Sequence, residues 1–359
     1  MERLPAAPQE GRLSAFKATL ATLAEGRGLS REEARQAIAH VLAGEASEAQ
    51  LGAFLMALRL RGETEDELVG ATQAMRAAMT PVEAPEGAID IVGTGGDGAQ
   101  TFNISTLAAI IVAACGVTVA KHGGKAASSR SGASDVLAEL GVKVGLSPAK
   151  ASACLKEIGI CFMAAPTHHP ALRFAANARS ELSLRTIFNL LGPMCNPARV
   201  KKQVLGVYDR RWLEPMARAM RELGSERVWL LHGGDGLDEA TTTGPTLVTA
   251  LENGAIRSFE ITPEQAGLPR AKPEALKGGD PAQNARALRD VLGGARGAYR
   301  DVAVLNAGVA LIVAGETRNL REGACQADEA LASGKAKEKL DALVSASNSE
   351  PLTAPRARD

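Results

Sequence analysis

Aromatic side chains are scarce. The 359 residues include two Trp, two Tyr and seven Phe, 3% of the chain, which argues against the stacking platforms that bind single-stranded nucleic acid. Net charge is missing as well: 41 Lys and Arg offset 41 Asp and Glu. No basic field is left for a nucleic-acid backbone or a membrane surface. No C-x-x-C occurs, and the five cysteines, at 115, 154, 161, 195 and 325, are odd in number, so structural thiols in a reduced, cytoplasmic protein are expected. The longest largely apolar run, Leu107 to Val119, is too short to cross a bilayer, and Met1-Glu2-Arg3-Leu4-Pro5 does not open a secretory signal. What remains, with 45% hydrophobic and 23% charged residues, reads as a soluble globular protein of two domains or one large one.

Glycine is abundant where it matters. Ile89-Asp90-Ile91-Val92 reads as a strand and runs into Gly93-Thr94-Gly95-Gly96-Asp97-Gly98. Thr101-Phe102-Asn103-Ile104-Ser105-Thr106 and an apolar helix to Cys115 follow. A second strand then ends in Lys121-His122-Gly123-Gly124-Lys125-Ala126-Ala127-Ser128-Ser129-Arg130-Ser131-Gly132. Two glycine-rich turns after successive strands fall on the same edge of a parallel sheet, where ligands bind. Glycines let backbone N–H groups approach an anion, helix N-termini add positive potential, and Lys121, Lys125 and Arg130 add full charge. No acid intervenes between Asp97 and Asp135. The expected ligand is polyphosphorylated. Gly93, Gly95 and Gly98 match a dinucleotide fingerprint in spacing, but the acid expected about 20 residues later is missing. A P-loop is excluded because no Gly-Lys-Ser/Thr closes the first turn.

Along the chain, residues 1–12 are expected to be a flexible arm and 349–359 a flexible tail. Residues 13–80 read as a helical domain with capping boxes at Ser30/Glu33, Ser47/Gln50 and Thr64/Glu67. Its apolar stripes suit a scaffold or pairing with a second copy. After a Pro-rich linker, strands and helices alternate through residues 81–348. The expected fold class is α/β: a small N-terminal helical domain plus a larger α/β domain with a mostly parallel central sheet covered by helices.

Other constellations are weaker. Thr167-His168-His169-Pro170 reads as a helix-opening loop with one buried ring, since adjacent histidines cannot both face one metal from a helix or strand. Arg173, Arg179 and Arg185 are spaced by six, about 120° apart on a helix, so one at most meets an acidic ligand group. Phe188-Asn189-Leu190-Leu191-Gly192-Pro193 reads as a helix stop. Asp238 and Glu239, on a Gly-rich loop after a strand, form a carboxylate pair that suits Mg²⁺ shared with phosphate oxygens.

Together these motifs resemble the anthranilate phosphoribosyltransferases, related in fold to the pyrimidine nucleoside phosphorylases. The resemblance rests on Gly93-Thr94-Gly95-Gly96-Asp97, Asn103-Ile104-Ser105-Thr106, Lys121-His122-Gly123, Leu184-Arg185-Thr186-Ile187-Phe188-Asn189-Leu190-Leu191-Gly192-Pro193 and Gly236-Leu237-Asp238-Glu239. It implies a homodimer formed by the helical domain and helices near 176–192. It also implies Mg²⁺-dependent transfer of a phosphoribosyl group from 5-phosphoribosyl 1-diphosphate to anthranilate, with no nucleophilic side chain. By motif position, the donor is bound by Gly93, Gly96, Asp97, Thr101, Asn103, Ile104, Ser105, Thr106, Lys121, His122, Gly123, Gly124, Lys125, Ala126, Ala127, Ser128 and Ser129. Ser105, Asp238 and Glu239 hold the metal, and Gly93, Gly124 and Arg179 meet anthranilate. Two departures stand out: Gly124 replaces the family's usual Asn, and Ala133 stands where a phosphate-binding hydroxyl is common. The first keeps open a paralogue with another aromatic acceptor. A donor-binding protein without catalysis is a further alternative, and a nucleoside phosphorylase is disfavoured because the carboxylate pair suits a metal–diphosphate donor.

Overall fold

The computed structural model describes residues 9–125 and 130–349, with side chains from Phe16 onward. Four helices open the chain: α1 (Gln9–Ala24), α2 (Arg31–Leu42), α3 (Glu48–Arg61) and α4 (Glu65–Ala78). The first begins within the stretch expected to be an arm, because the helical run extends back to Gln9; residues 1–8 and 350–359 lie outside the described residues. All three capping boxes form, with Ser30, Ser47 and Thr64 each accepting from the backbone N–H three residues on. The stripes Ala34, Ile38, Val41, Leu42 and Leu51, Phe54, Leu55, Leu58 are buried. Glu67 is buried too, paired with Arg61 and accepting from Leu29 N at 2.9 Å and Thr64 N at 2.8 Å.

The rest alternates as β1 (Ile89–Gly93), α5 (Ile104–Ala114), β2 (Val119–Gly123), α6 (Ala133–Glu139), α7 (Pro148–Ile158) and β3 (Ile160–Ala164). Then come α8 (Ala165–His168), α9 (Arg173–Leu182), α10 (Ile187–Met194), β4 (Lys202–Gly206), α11 (Leu213–Glu222), β5 (Arg227–Gly233), β6 (Thr246–Glu252) and β7 (Ala255–Ile261). Helices α12 (Pro281–Leu292), α13 (Ala298–Ala314), α14 (Leu320–Ala332) and α15 (Lys335–Asn348) close the chain. The sheet order is β3-β2-β1-β4-β5-β6-β7, parallel through β5 and antiparallel at β6 and β7. The class is therefore as expected: a small helical domain and a mostly parallel sheet between helices.

Alternation along the strands sorts the core. Val204, Trp229 and Leu231 pack under α5 and α13, whereas Leu205, Val228 and Leu230 join the opposite cluster. That second cluster also contains the N-terminal helices, α9, α10 and α11, so the helical bundle and one sheet face share a core. The connections reverse between β1 and β4, a topological switch point where ligands bind.

Two local expectations are corrected. Gly192-Pro193 does not stop α10: the helix continues to Met194 with Pro193 inside it. A proline in the last turn forfeits one hydrogen bond in an eight-residue helix that the Thr186/Asn189 capping box anchors at its start. Both rings of His168 and His169 are buried, not one.

Candidate active site

A cavity of about 250 Å³ opens at the carboxyl ends of β1 and β2. Its walls contain Gly93, Gly96, Asp97, Thr101, Asn103, Ile104, Ser105, Thr106, Lys121, His122, Gly123, Gly124, Lys125, Asp238 and Glu239. Two turns and one distant loop thus converge as the sequence suggested. Ala126, Ala127, Ser128 and Ser129 lie outside the described residues. Arg179 does not line the cavity. It stands on α9, its guanidinium 5.2 Å from the centre of the Phe188 ring, and among the described residues it has no ion pair. Burial holds its pKa below the usual arginine value.

The first turn is built by backbone conformation. Gly95, Gly96 and Gly98 have φ of 64°, 78° and 77°, a region costly to residues with a Cβ. Thr94 pins the turn by accepting from Tyr208 N at 3.1 Å. Arg185 donates to Gly96 O at 2.5 Å and lies 4.5 Å from the centre of the Tyr208 ring. Of the three spaced arginines, this one reaches the turn. Asn103 ties the two turns together: its Nδ2 donates to Ser131 O at 3.2 Å, and its Oδ1 accepts from Asn284 Nδ2 at 2.9 Å. It therefore joins both turns to α12.

Charge is concentrated and buried. Lys121 is 4% exposed and donates to Ile91 O at 2.6 Å and Ser105 Oγ at 3.2 Å. Burial lowers its pKa, and Asp90, Glu239 and Asp238 oppose that shift. Asp238 Oδ2 accepts from Gly95 N at 2.7 Å, and Glu239 Oε1 accepts from Ser105 N at 3.2 Å at the start of α5. Burial, then the charges of Asp97 and Glu239, push Asp238 well above the usual carboxylate range. Burial pushes Glu239 up to about 7 against the pull of Lys121, with Asp97 adding to the rise. The donor set fits Mg²⁺: hard oxygens, excess negative charge, and burial that makes unneutralised carboxylates costly. No group of three His, Cys, Asp or Glu among the described residues forms a ready metal cage. A metal here would share its coordination with ligand oxygens and water, which is how Mg²⁺ is commonly held.

His122 lies partly behind this wall. Its ring centre is 5.1 Å from that of His169, whose Nε2 is 2.9 Å from Cys195 O. Sequence reasoning missed Asp90 and Asn196, both buried beside β2. The available signal was an acid in the middle of an apolar strand. Ala133 lines the cavity without a hydroxyl, as its identity requires.

Comparison with known proteins gives a consistent picture. Residues 17–79 match the glycosyl transferase family helical bundle domain, and residues 85–337 match the a/b domain of the same family. The anthranilate phosphoribosyltransferase of Methylocella silvestris is 61% identical over 95% of this chain and 98% of its own length. That of Beijerinckia indica is 60% identical over 93% and 98%. The crystal structure of the Thermus thermophilus anthranilate phosphoribosyltransferase superposes with a TM-score of 0.87 at 42% identity, covering 93% of this chain and 99% of that one. The Saccharomyces cerevisiae enzyme in complex with PRPP and Mg gives 0.86 at 28% identity, covering 96% and 99%.

Proposed function

The chain belongs to the anthranilate phosphoribosyltransferases of the glycosyl transferase family, and we propose that it moves the phosphoribosyl group of 5-phosphoribosyl 1-diphosphate to the amine of anthranilate. The step depends on Mg²⁺, releases diphosphate and serves tryptophan biosynthesis. The observation that carries this reading is the meeting of Lys121 with Asp97, Asp238 and Glu239 beneath a glycine-rich turn in one cavity. The yeast relative crystallised with PRPP and Mg and with 4-fluoroanthranilate lends support.

On this reading, the N–H groups of the turn after β1 and of the start of α5 receive the phosphates. Asp238 and Glu239, with Ser105, hold Mg²⁺, which neutralises the leaving diphosphate. Lys121 adds a fixed positive charge where negative charge grows as the C1–oxygen bond breaks. An arylamine is unprotonated at neutral pH, so no strong base is needed. Positioning and charge neutralisation supply the rate. Arg179 faces the acceptor carboxylate, and it has no ion pair among the described residues to compete for that role.

We assign residues 13–80 and the helices near 176–192 to a homodimer interface, and residues 81–348 to catalysis. Among the described residues, large apolar side chains are exposed at Leu60, Phe174 and Leu184, on or beside those helices, with Leu60 at 80%. No helix among the described residues is long and apolar enough to cross a membrane, and all five cysteines are free thiols, which suits a cytoplasmic enzyme.

A second reading, another aromatic acceptor, is favoured by one observation: among the described residues a Cβ on Gly124 would meet only Ala165 Cβ, at 3.9 Å, so that side of the site is roomier than with the family's Asn. Loss of anthranilate fluorescence with PRPP and Mg²⁺, in wild type and Gly124→Asn, separates the two. Turnover by wild type supports the proposal; turnover confined to the variant means a changed acceptor.

A further inference from the structure

The β1–β4 edge is zipped by five consecutive pairs, Ile89↔Lys202 to Gly93↔Gly206. The β1–β2 edge is not. Among the described residues its backbone register consists of Ile89↔Val119 alone, with Ile89 N donating to Thr118 O at 2.9 Å. Extending that register by two would pair Ile91 with Lys121 and bring the His122 N–H to the Ile91 carbonyl. Side chains take over instead. His122 N donates to Asp90 Oδ1 at 3.1 Å, and Asn196 Nδ2 donates to Ala120 O and to Asp90 Oδ2, each at 2.8 Å. The Ile91 carbonyl, relieved of its ladder partner, accepts from Lys121 Nζ at 2.6 Å.

We infer that Asp90 and Asn196 are positioning residues that hold β1 and β2 apart so that the Lys121 ammonium can enter between them and stand under the diphosphate. This rests on the reading of Lys121 as the donor-facing cation. Asp90 is fully buried, Asn196 is 3% exposed, and neither lines the cavity, so neither touches the donor. Asn196 is itself fixed, its Oδ1 accepting from Ala198 N at 2.8 Å. A buried carboxylate in a parallel strand is costly unless hydrogen-bonded, and here both of its oxygens are engaged, Oδ1 by the His122 N–H that would otherwise close the ladder and Oδ2 by the Asn196 amide. Without the wedge, His122 N would return to Ile91 O and displace the ammonium from it.

The sign of the effect separates positioning from simple charge. Asp90 is negative, so its removal through space alone would tighten binding of an anion. Loss of positioning weakens it. The experiment is a double-mutant cycle on Asp90→Asn and Lys121→Met, with the affinity for inorganic diphosphate in the presence of Mg²⁺ read by calorimetry and folding checked by circular dichroism. In Asp90→Asn the new amide N–H₂ faces that of Asn196 and the bracket opens. The expected result is about tenfold weaker diphosphate binding in the Lys121 background and no further loss in the Lys121→Met background. Unchanged or tighter binding by Asp90→Asn overturns the inference, and so does an equal loss in both backgrounds. If Lys121→Met leaves diphosphate affinity intact, the donor-facing reading of Lys121 fails and the inference falls with it. Should Asp90→Asn not fold, Asn196→Ser enters the same cycle with the same expectations.

Discussion

Asp238 occupies the space that a side chain on Gly93 would need. A Cβ built on Gly93 lies 2.3 Å from Asp238 Oδ2, and one on Gly206, its partner across β1 and β4, lies 1.5 Å from Asp238 O. Asp238 thus lies over two strand ends that must both be bare, its carboxylate against Gly93 and its backbone carbonyl against Gly206. Gly93→Ala can be met by swinging the carboxylate away. It should cost about 1–3 kcal/mol of stability and lower the Mg²⁺ affinity measured in the presence of diphosphate. Gly206→Ala meets a backbone carbonyl that cannot rotate aside and should be the more damaging of the two. Equal thermal unfolding temperatures for Gly206→Ala and wild type would refute this account.

Much of this arrangement is legible in the chain, for a physical reason. Capping boxes, apolar stripes and Gly-rich turns are local, so Ser30, Ser47, Thr64 and the turns after Val92 and Lys121 can be read without knowing their neighbours. The Asp238–Glu239 loop is legible as part of the cavity wall because adjacent carboxylates on a Gly-rich loop after a strand fall at the sheet edge where ligands bind. Asp90, Asn196 and Arg185 are not legible, because their meaning lies in contacts 32 to 106 residues away, to His122, Ala120, Gly96 and one another. Pro193 misleads because a proline signals a helix end only if the residues before it cannot absorb one lost hydrogen bond.

Glu239→Gln should separate stability from function. The side chain is partly buried, and desolvation raises its pKa from 4.5 to about 7. A folded value above the unfolded one means stability that is complete below about 4.5 and lost as pH rises through about 7. At pH 8 wild type bears the whole cost of the buried charge. Glutamine keeps an acceptor for Ser105 N and removes the charge, so the ligand-free variant should be more stable by about 1–3 kcal/mol at pH 8. Mg²⁺ with diphosphate should raise the unfolding temperature of wild type and not of the variant. Activity should fall sharply. A variant less stable than wild type at pH 8 would count against the electrostatic account.

The histidine cluster behind β2 acts in the opposite direction. Burial lowers the pKa of His122 to about 3 and of His169 to about 4, so these rings are neutral in the folded protein. The unfolded chain takes up protons below about 6.5, and stability is lost as pH falls from there toward 4. At pH 5 each ring costs about 2 kcal/mol relative to neutral pH. Asp90 and Glu239 gain from acid over the same range, so the histidine contribution must be isolated by difference. His169→Gln, which retains a donor for Cys195 O, should be less sensitive than wild type to a change from pH 7.5 to pH 5 by about 2 kcal/mol in denaturant unfolding.

Gly124→Asn tests the acceptor side. Among the described residues the nearest neighbour of the added side chain is Ala165 Cβ at 3.9 Å, so stability should change by less than about 1 kcal/mol. The effect should fall on KM for anthranilate, and kcat/KM for the phosphoribosyl donor should hold. A change confined to the donor would place Gly124 with the phosphates.

Arg179 tests the same side from the other wall. It carries a half-buried charge over the Phe188 ring, with desolvation lowering its pKa and no ion pair among the described residues to offset the cost. Such a charge is costly in the free protein and is relieved by an incoming carboxylate. Arg179→Ala should therefore raise KM for anthranilate by about 10- to 100-fold, the range of a lost hydrogen bond to a charged group. KM for the donor should stay unchanged, and the free variant should be no less stable than wild type by more than the lost ring contact, about 0.5–1 kcal/mol. Arg179→Lys preserves the charge but not the paired N–H groups and should recover only part of the affinity. Equal losses for donor and acceptor would mean that α9 positions the whole site, and that the arginine does not select the acceptor.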